Sequence, residues 1–191
     1  MTLWDMTLFE WGYSIMMMIV FALIFILFWA EHKLKVPAVP LMPWLRVKAI
    51  TLAAKHSNSH AHYKIADLGS GWGGLCFALA RHYKKSDICG FELSPLPFFI
   101  ARARAFFSAL LFRRRVIFKQ QDIFKIDISD YDIIFCYLSP FILKDMKEQF
   151  LSMKKGAMII TCSFPIEGSE PDEVQSMKFI FNMPVHFYRI K

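Results

Sequence analysis

The chain opens with a long, uninterrupted apolar run and continues with short apolar segments separated by polar ones. From Trp11 to Ala30 the sequence WGYSIMMMIVFALIFILFWA contains no charged residue. As a helix rising 1.5 Å per residue, this run is about 30 Å long, which matches the hydrocarbon thickness of a bilayer. The aromatic residues Trp11, Tyr13 and Trp29 near its ends are typical of a membrane interface. The pattern predicts one transmembrane helix within an N-terminal anchor, residues 1–35.

The charged residues that flank this run differ in sign on its two sides. Asp5 and Glu10 precede it, whereas basic residues follow it: Lys33, Lys35, Arg46 and Lys48. Because positive flanks stay on the inner side of a membrane, we expect a single-pass membrane protein. Its C-terminal domain would lie on the cytoplasmic face of a bacterial inner membrane, or on the matrix side of the mitochondrial inner membrane. A signal peptide is disfavoured by the acidic start, and a buried soluble helix is the alternative.

Residues 36–60 are predicted to form a proline-rich spacer followed by an amphipathic helix. The prolines of VPAVPLMP exclude a helix from its first part, and a helix is expected from Trp44 to about His56. Residues 61–191 then alternate between strand-like and helix-like segments, which predicts an α/β, Rossmann-like domain with a mostly parallel sheet. The tail is predicted to add an antiparallel hairpin of MKFIF and VHFYRIK. The predicted strands are His62–Asp67, Asp87–Leu93, Val116–Gln120, Asp132–Tyr137 and Ala157–Phe164, and the helices are Gly74–Tyr83, Leu96–Arg113 and Leu143–Met153.

Charge and cysteine content add two constraints. The net charge is +7, and only Asp5 and Glu10 are charged among the first thirty residues, so the positive charge lies in the later part of the chain. Such a domain favours anionic partners, although a solvated basic face explains the charge equally well. The cysteines, scattered through apolar segments, favour buried free thiols and indicate no metal site. They are Cys76, Cys89, Cys136 and Cys162.

The residues with the clearest chemistry form a glycine-rich loop between the first predicted strand and its helix. In DLGSGWGG, residues 67–74, glycines at 69, 71 and 73 let the backbone turn sharply and approach a ligand closely. An acid, Asp67, directly precedes the loop. A tight turn without a ligand is the alternative interpretation.

Two further acids follow the next two strands. Glu92 ends the second strand, where a carboxylate can accept hydrogen bonds from both hydroxyls of a ribose. Asp122 follows the third strand, where it can accept a proton from an adenine amino group while Ile123 packs on the ring. Because the carboxyl ends of parallel strands meet at one edge of the sheet, the three acids are expected to border one crevice.

These motifs resemble those of class I S-adenosylmethionine-dependent methyltransferases. DLGSGWG, FELSP at residues 91–95 and QDIF at residues 121–124 are similar to the three cofactor motifs of that superfamily. The resemblance implies a class I methyltransferase fold, whose sheet ends in a β-hairpin, over residues 61–191, and S-adenosyl-L-methionine as cofactor. It implies that the glycine loop cradles the methionine part, Glu92 the ribose and Asp122 the adenine. The implied cofactor-binding residues are Asp67, Gly69, Ser70, Gly71, Gly73, Glu92, Asp122 and Ile123.

A narrower resemblance is carried by several looser features. They are the hydrophobic N-terminal helix, the VPAVP spacer, DIFKIDISDYD at residues 122–132 and Phe164-Pro165 at a strand end. Together they are similar to the membrane-anchored mitochondrial protein-lysine methyltransferases and their bacterial relatives, which modify membrane proteins such as the ATP synthase c-subunit or the adenine nucleotide carrier. This resemblance implies methylation of lysine side chains on a membrane or membrane-associated protein.

The end of the fourth strand offers the candidates for the substrate pocket: Tyr137, Ser139, Pro140 and Phe141. Only Pro140 and Phe141 match the pattern of amino-methylating relatives, which place an amide or acid before two prolines and an aromatic residue. A core tyrosine and a turn serine explain Tyr137 and Ser139 at least as well. No general base is identified, because the cofactor's sulfonium is already an activated donor and positioning of a neutral amine suffices.

Other functions remain open at this stage. A methyltransferase for a lipid or quinone-like small molecule, or a catalytically silent cofactor-binding membrane subunit, would share these features. A nicotinamide-dependent dehydrogenase is less favoured, since no histidine–acid pair stands out.

The expected partners are a membrane protein substrate, the bilayer through Trp11–Ala30, and anionic lipid through Arg113, Arg114 and Arg115, with no nucleic acid. Alternatively, the arginine triplet has a structural role, because positive charges at the C-terminal end of a helix complement its dipole.

Overall fold

A computed structural model describes residues 8–33, 40–112, 116–176 and 183–191 of the 191-residue chain. The chain divides into two compact units, Met1–Pro37 and Ala38–Lys191. The first unit contains helix α1, Leu8–Lys33. The second contains all the other elements described below.

No helix within the described parts of the chain is long and apolar enough to cross a membrane. The prediction of a transmembrane anchor over Trp11–Ala30 is therefore wrong. So is the prediction of a single-pass membrane protein with its catalytic domain on the cytoplasmic or matrix face. A span needs an apolar stretch of about 20 residues. The uncharged run Trp11–Ala30 suggested one, but the helices of the described residues include no such span.

The second unit is built on one sheet, which has seven strands in the described residues, in the order β3-β2-β1-β4-β5-β7-β6. Strands β1 to β5 run parallel, whereas β7 is antiparallel to both of its neighbours. The predicted Rossmann-like, mostly parallel sheet is confirmed. The strands are β1 Lys64–Leu68, β2 Asp87–Glu92, β3 Val116–Gln120, β4 Ile133–Cys136, β5 Met158–Cys162, β6 Glu173–Gln175 and β7 Val185–Arg189.

The helices follow the predicted positions except after β4. There, the single helix predicted over Leu143–Met153 is wrong, because two short helices separated at Met146 occupy residues 140–151. The Ser139 hydroxyl accepts a hydrogen bond from the Ile142 N–H, so the first of them starts earlier than its apolar spacing indicates. The helices of this unit are α2 Pro43–Lys55, α3 Gly74–His82, α4 Pro95–Phe112, α5 Pro140–Asp145 and α6 Lys147–Leu151.

The C-terminal antiparallel pair also differs from the prediction. Its first strand, β6, lies at Glu173–Gln175, ahead of the predicted MKFIF segment. Residues 177–182 lie outside the described residues, and so does the arginine triplet at 113–115. The Glu173 carboxylate accepts hydrogen bonds from Lys55 Nζ and His56 Nε2, both at 2.8 Å, and so ties β6 to the end of α2.

The parallel strands are apolar because helices cover both faces of the sheet. In β4, Ile133 and Phe135 belong to the cluster on the side of α2, α3 and α4, whereas Ile134 and Cys136 belong to the cluster on the side of α5 and α6. This alternation follows from the two-residue period of a strand. All four cysteines are buried and free, as the sequence indicated.

Helix α2 packs on β5 and β7 and brings a lysine into the interior. Lys48 is 8% exposed, and its Nζ atom is buried without a hydrogen-bond partner among the described residues. Burial lowers the pKa of this amine, while the nearby Cys162 thiol raises it. The buried amine is an unfavourable element of this interface because its lost hydration is not replaced.

Replacing Lys48 by methionine should therefore stabilise the protein. Methionine has a similar shape and no group to desolvate, so we expect Lys48→Met to raise the free energy of unfolding by about 1–3 kcal/mol. Urea unfolding followed by circular dichroism measures the change. Lys55→Met is the matched control, because exposed Lys55 only pairs with Glu173 and should give no gain. A lower unfolding midpoint for Lys48→Met would show that the amine has a stabilising partner.

Candidate active site

The loop between β1 and α3 lies against the end of β2. The N–H groups of Gly69 and Ser70 both donate to the carbonyl oxygen of Phe91, each at 2.9 Å. The Gly73 N–H donates to the Ser70 carbonyl oxygen at 2.9 Å and closes a tight turn. These bonds hold the loop across the carboxyl edge of the sheet.

Two positions in the loop require glycine for different reasons. Gly73 has a φ of +77°, and a Cβ there would lie 2.5 Å from the ring of Phe118, so both backbone and space exclude a side chain. Gly71 has a φ of +51°, but no atom lies within 4 Å of the place its Cβ would take. The backbone at Gly71 therefore borders open space, where a ligand can come close to it.

Asp67, in β1, is buried below this loop. Its Oδ2 accepts a hydrogen bond from Cys76 Sγ at 3.3 Å. The pKa of Asp67 is raised to about 7, mainly by burial and further by the negative charge of Glu92. The hydrogen bond from Cys76 and the positive charge of Arg46 oppose this rise. Asp67 is thus close to its titration midpoint at neutral pH, and a cationic ligand group beside it would favour its charged form.

Glu92 connects the loop to the segment after β2. Its Oε2 accepts the Gly71 N–H at 2.7 Å, and its Oε1 accepts the Ser94 N–H at 2.8 Å. The side chain is buried. A carboxylate offers about four acceptor positions, so two backbone donors leave capacity for hydroxyl groups of a ribose, which stays a prediction. The structure adds a second role that the sequence did not indicate: Glu92 holds the loop in place.

Asp122 and Ile123 lie at the end of the neighbouring strand β3. The Asp122 Oδ1 accepts the Phe124 N–H at 3.1 Å and so begins the short 3₁₀ turn Ile123–Lys125. Ile123 is partly buried against the core. Since β3, β2 and β1 are adjacent, Asp122, Glu92 and Asp67 stand along one edge of the sheet, as the spacing predicts. Their individual contacts with a cofactor remain predictions.

A cavity of about 110 Å³ opens beside the loop. Asp67, Gly69, Ser70 and Gly71 line it, and so does Tyr137 from the end of β4. Of the predicted substrate-pocket residues, only Tyr137 lines this cavity. Ser139 caps α5, Pro140 starts that helix, and Phe141 is 80% exposed.

Two arginines that the sequence analysis did not assign to the cofactor site also line the cavity. Arg46 comes from α2 and Arg104 from α4. Both are remote in sequence from the glycine loop, and an arginine on a helix is more often a surface residue. Only the packing of α2 and α4 beside the loop reveals them.

The comparison with protein families shows to which family the chain belongs. Residues 67–173, more than half of the chain, match the ANTKMT methyltransferase domain. The chain belongs to this family. It is the family of the adenine nucleotide translocase lysine methyltransferase, and its members are class I S-adenosylmethionine-dependent methyltransferases. The predicted superfamily, methyltransferase activity and cofactor are thereby confirmed.

Solved structures share the fold at low sequence identity. An RNA methyltransferase from Salinibacter ruber in complex with S-adenosyl-L-homocysteine superposes with a TM-score of 0.69 at 23% identity, over 80% of this chain and 94% of that one. Magnesium protoporphyrin IX methyltransferase from Synechocystis PCC 6803, with bound cofactor, gives 0.60 at 13% identity, over 80% and 86%. No curated protein matches the chain. These likenesses establish the fold and leave the substrate open.

The residues at the loop fit S-adenosylmethionine. Ser70 lines the cavity with a buried hydroxyl that has no hydrogen-bond partner among the described residues. Gly71 gives close access to the backbone, and the cavity offers one carboxyl group and two guanidinium groups to a zwitterionic amino acid. When bound, the cofactor supplies a methyl group already activated on a sulfonium.

Removing the Glu92 carboxylate should destabilise the protein even without cofactor. Glu92→Ala leaves the N–H groups of Gly71 and Ser94 without their acceptor, and each such group costs about 1–3 kcal/mol. We expect a lower urea midpoint and a weakened affinity for S-adenosylhomocysteine, measured by calorimetry. Exposed Glu148→Ala is the control. An unchanged midpoint for Glu92→Ala would contradict the role of Glu92 in holding the loop.

The raised pKa of Asp67 predicts a pH-dependent stability. The folded protein keeps this proton up to pH of about 7, whereas the unfolded chain releases it near pH 4. The stability that this group contributes is therefore present at low pH and is lost as the pH rises from about 4 to above 7, by on the order of 4 kcal/mol. Cofactor-free Asp67→Asn should lack this fall. Urea unfolding measures the free energy of unfolding of both proteins as a function of pH. The same pH dependence in the unmodified protein and in Asp67→Asn would refute the raised pKa of Asp67.

Proposed function

We propose that this protein transfers a methyl group from S-adenosylmethionine to lysine side chains of a protein. Membership of the lysine methyltransferase family supports the choice of substrate class. The protein-lysine methyltransferases that the sequence resembles modify membrane proteins. The proposed substrate is therefore a membrane or membrane-associated protein.

The observation that carries the proposal is a rim of exposed apolar side chains at the carboxyl edge of the sheet. Four parallel strands are each followed by one such residue: Leu93 after β2, Phe124 after β3, Phe141 after β4 and Phe164 after β5, each between 40% and 80% exposed. Because the carboxyl ends of parallel strands meet at one edge of the sheet, these residues all follow strands at the edge that holds the cavity, and exposed apolar groups on one side of a protein are typical of an interaction surface. A small molecule buried in a closed pocket would not require them on the outside.

This rim also suits the chemistry of an amine acceptor. A lysine ammonium has to lose its proton before its nitrogen can accept a methyl group, and an apolar surrounding lowers the pKa of an amine. Tyr137, half-buried at the cavity, is the polar side chain placed to orient the nitrogen. The role of the protein is then mainly to position the acceptor.

The substrate class can be tested by following a tritium-labelled methyl group. The purified chain and labelled S-adenosylmethionine are incubated with a membrane extract, which is then separated into protein and lipid fractions. We expect label in protein, recovered as methyl-lysine after acid hydrolysis. Label in the lipid fraction alone would replace the proposal with the lipid or quinone alternative, and label in neither would favour a silent cofactor-binding subunit.

Phe141→Ser tests the rim directly. Because Phe141 is 80% exposed, its loss should spare the fold and the affinity for S-adenosylhomocysteine. The KM for the protein substrate should rise about 5- to 30-fold, as expected for an anchoring aromatic residue worth about 1–2 kcal/mol. Leu151→Ser is the matched control, since Leu151 is 61% exposed on α6. Equal KM values for the Phe141 and Leu151 variants would exclude the rim from substrate binding.

A further inference from the structure

The N-terminus of α3 faces the cavity with unused hydrogen-bond donors. The helix starts at Gly74 after Gly73, no side chain caps it, and its first turn contains no acid. The first N–H groups of a helix have no partner within it and carry partial positive charge. An anionic group in the cavity would satisfy them.

Arg46 lies directly against this helix terminus. A Cβ at Gly74 would meet Arg46 Nη1 at 2.7 Å, so the guanidinium occupies the space that this glycine leaves free. Arg46 Nε donates to the Leu41 carbonyl oxygen at 2.8 Å, which fixes the side chain. The terminal nitrogens keep donors for a planar anion such as a carboxylate.

Arg104 is engaged differently. Its Nη1 donates to the Trp72 carbonyl oxygen, and its guanidinium lies 4.8 Å from the centre of the Phe77 ring. It therefore supports the glycine loop from α4. Neither arginine is within ion-pair distance of an acid in the described part of the chain, so both positive charges remain available to the cavity.

We propose that Arg46, together with the N-terminus of α3, binds the α-carboxylate of the methionine part of the cofactor, with Asp67 on the side of its ammonium group. The inference rests on the cofactor assignment. Arg46 is chosen over Arg104 because its terminal nitrogens adjoin the free helix N–H groups, whereas Arg104 is held by Trp72 and Phe77. The protein would then select cofactors by their carboxylate.

This assignment makes α2 part of the cofactor site. Helix α2 precedes the residues that match the family domain, yet it carries the guanidinium that completes the charge pattern of the cavity. The acid of β1 and the arginine of α2 together match the opposite charges of an amino acid.

The test compares two ligands that differ only in the carboxylate: S-adenosylmethionine and its decarboxylated form. Calorimetry measures both on the full chain and on Arg46→Gln. We expect Arg46→Gln to weaken S-adenosylmethionine binding about 10- to 100-fold, as for a charge-assisted pair, and to change binding of the decarboxylated form less than about threefold. Arg46→Lys should recover part of the affinity. Arg81→Gln, an exposed arginine at the other end of α3, is the control and should change neither.

Two outcomes would overturn the proposal. Equal losses for both ligands would mean that Arg46 acts on the fold of the loop and not on the carboxylate. An unchanged affinity for S-adenosylmethionine in a variant with wild-type thermal stability would remove Arg46 from the site. If Arg46→Gln does not fold, Arg46→Lys takes its place in the test. The ratio of its affinities for S-adenosylmethionine and for the decarboxylated form is compared with the ratio in the unmodified protein, and an unchanged ratio rejects the assignment. Failure of the unmodified protein to bind either ligand would refute the cofactor assignment itself.

Discussion

The carboxylate of Glu92 is the constraint on which the geometry of the active site depends. It accepts one backbone N–H from the glycine loop and one from the segment that leads into α4. Two turns that follow different strands are thereby fixed to a single buried side chain. Because an unpaired buried charge is strongly unfavourable, these bonds leave the loop few other conformations. The loop is therefore ordered before any ligand arrives, which lowers the entropy cost of binding.

The consequences extend to Asp67 and the cavity. The negative charge of Glu92 raises the pKa of Asp67, adding to the effect of burial. The same carboxylate that orders Gly71 thus also keeps its neighbour partly protonated at neutral pH. A positively charged amino group in the cavity would reverse this effect and favour ionised Asp67. Proton release on cofactor binding is the expected sign of that coupling.

The sequence predicted the sheet well and the cavity only in part. Strands such as Ile133–Cys136 are continuous apolar runs because helices cover both faces of the sheet. The helices lie between these runs in the sequence, so the apolar pattern alone was enough to locate both kinds of element. The acids Asp67, Glu92 and Asp122 were found because strand ends can be located in the sequence. The split at Met146 and the early position of β6 were missed, since hydrogen bonds at Ser139 and Glu173 outweigh local apolar spacing. Arg46 and Arg104 were missed because only tertiary packing brings them to the loop.

The packing of the sheet also bears on what constitutes the methyltransferase unit. The family domain matches residues 67–173, but β1 begins at Lys64 and β7 lies between β5 and β6. Without β7, the edge of β5 would expose its backbone hydrogen-bonding groups, and β6 would lose its only strand partner in the described structure. Helix α2 covers β5 and β7 and is tied to β6 through Lys55 and His56. The elements outside the matched range therefore share one core with it, and the compact unit Ala38–Lys191 includes α2 and β7 as well as the matched residues.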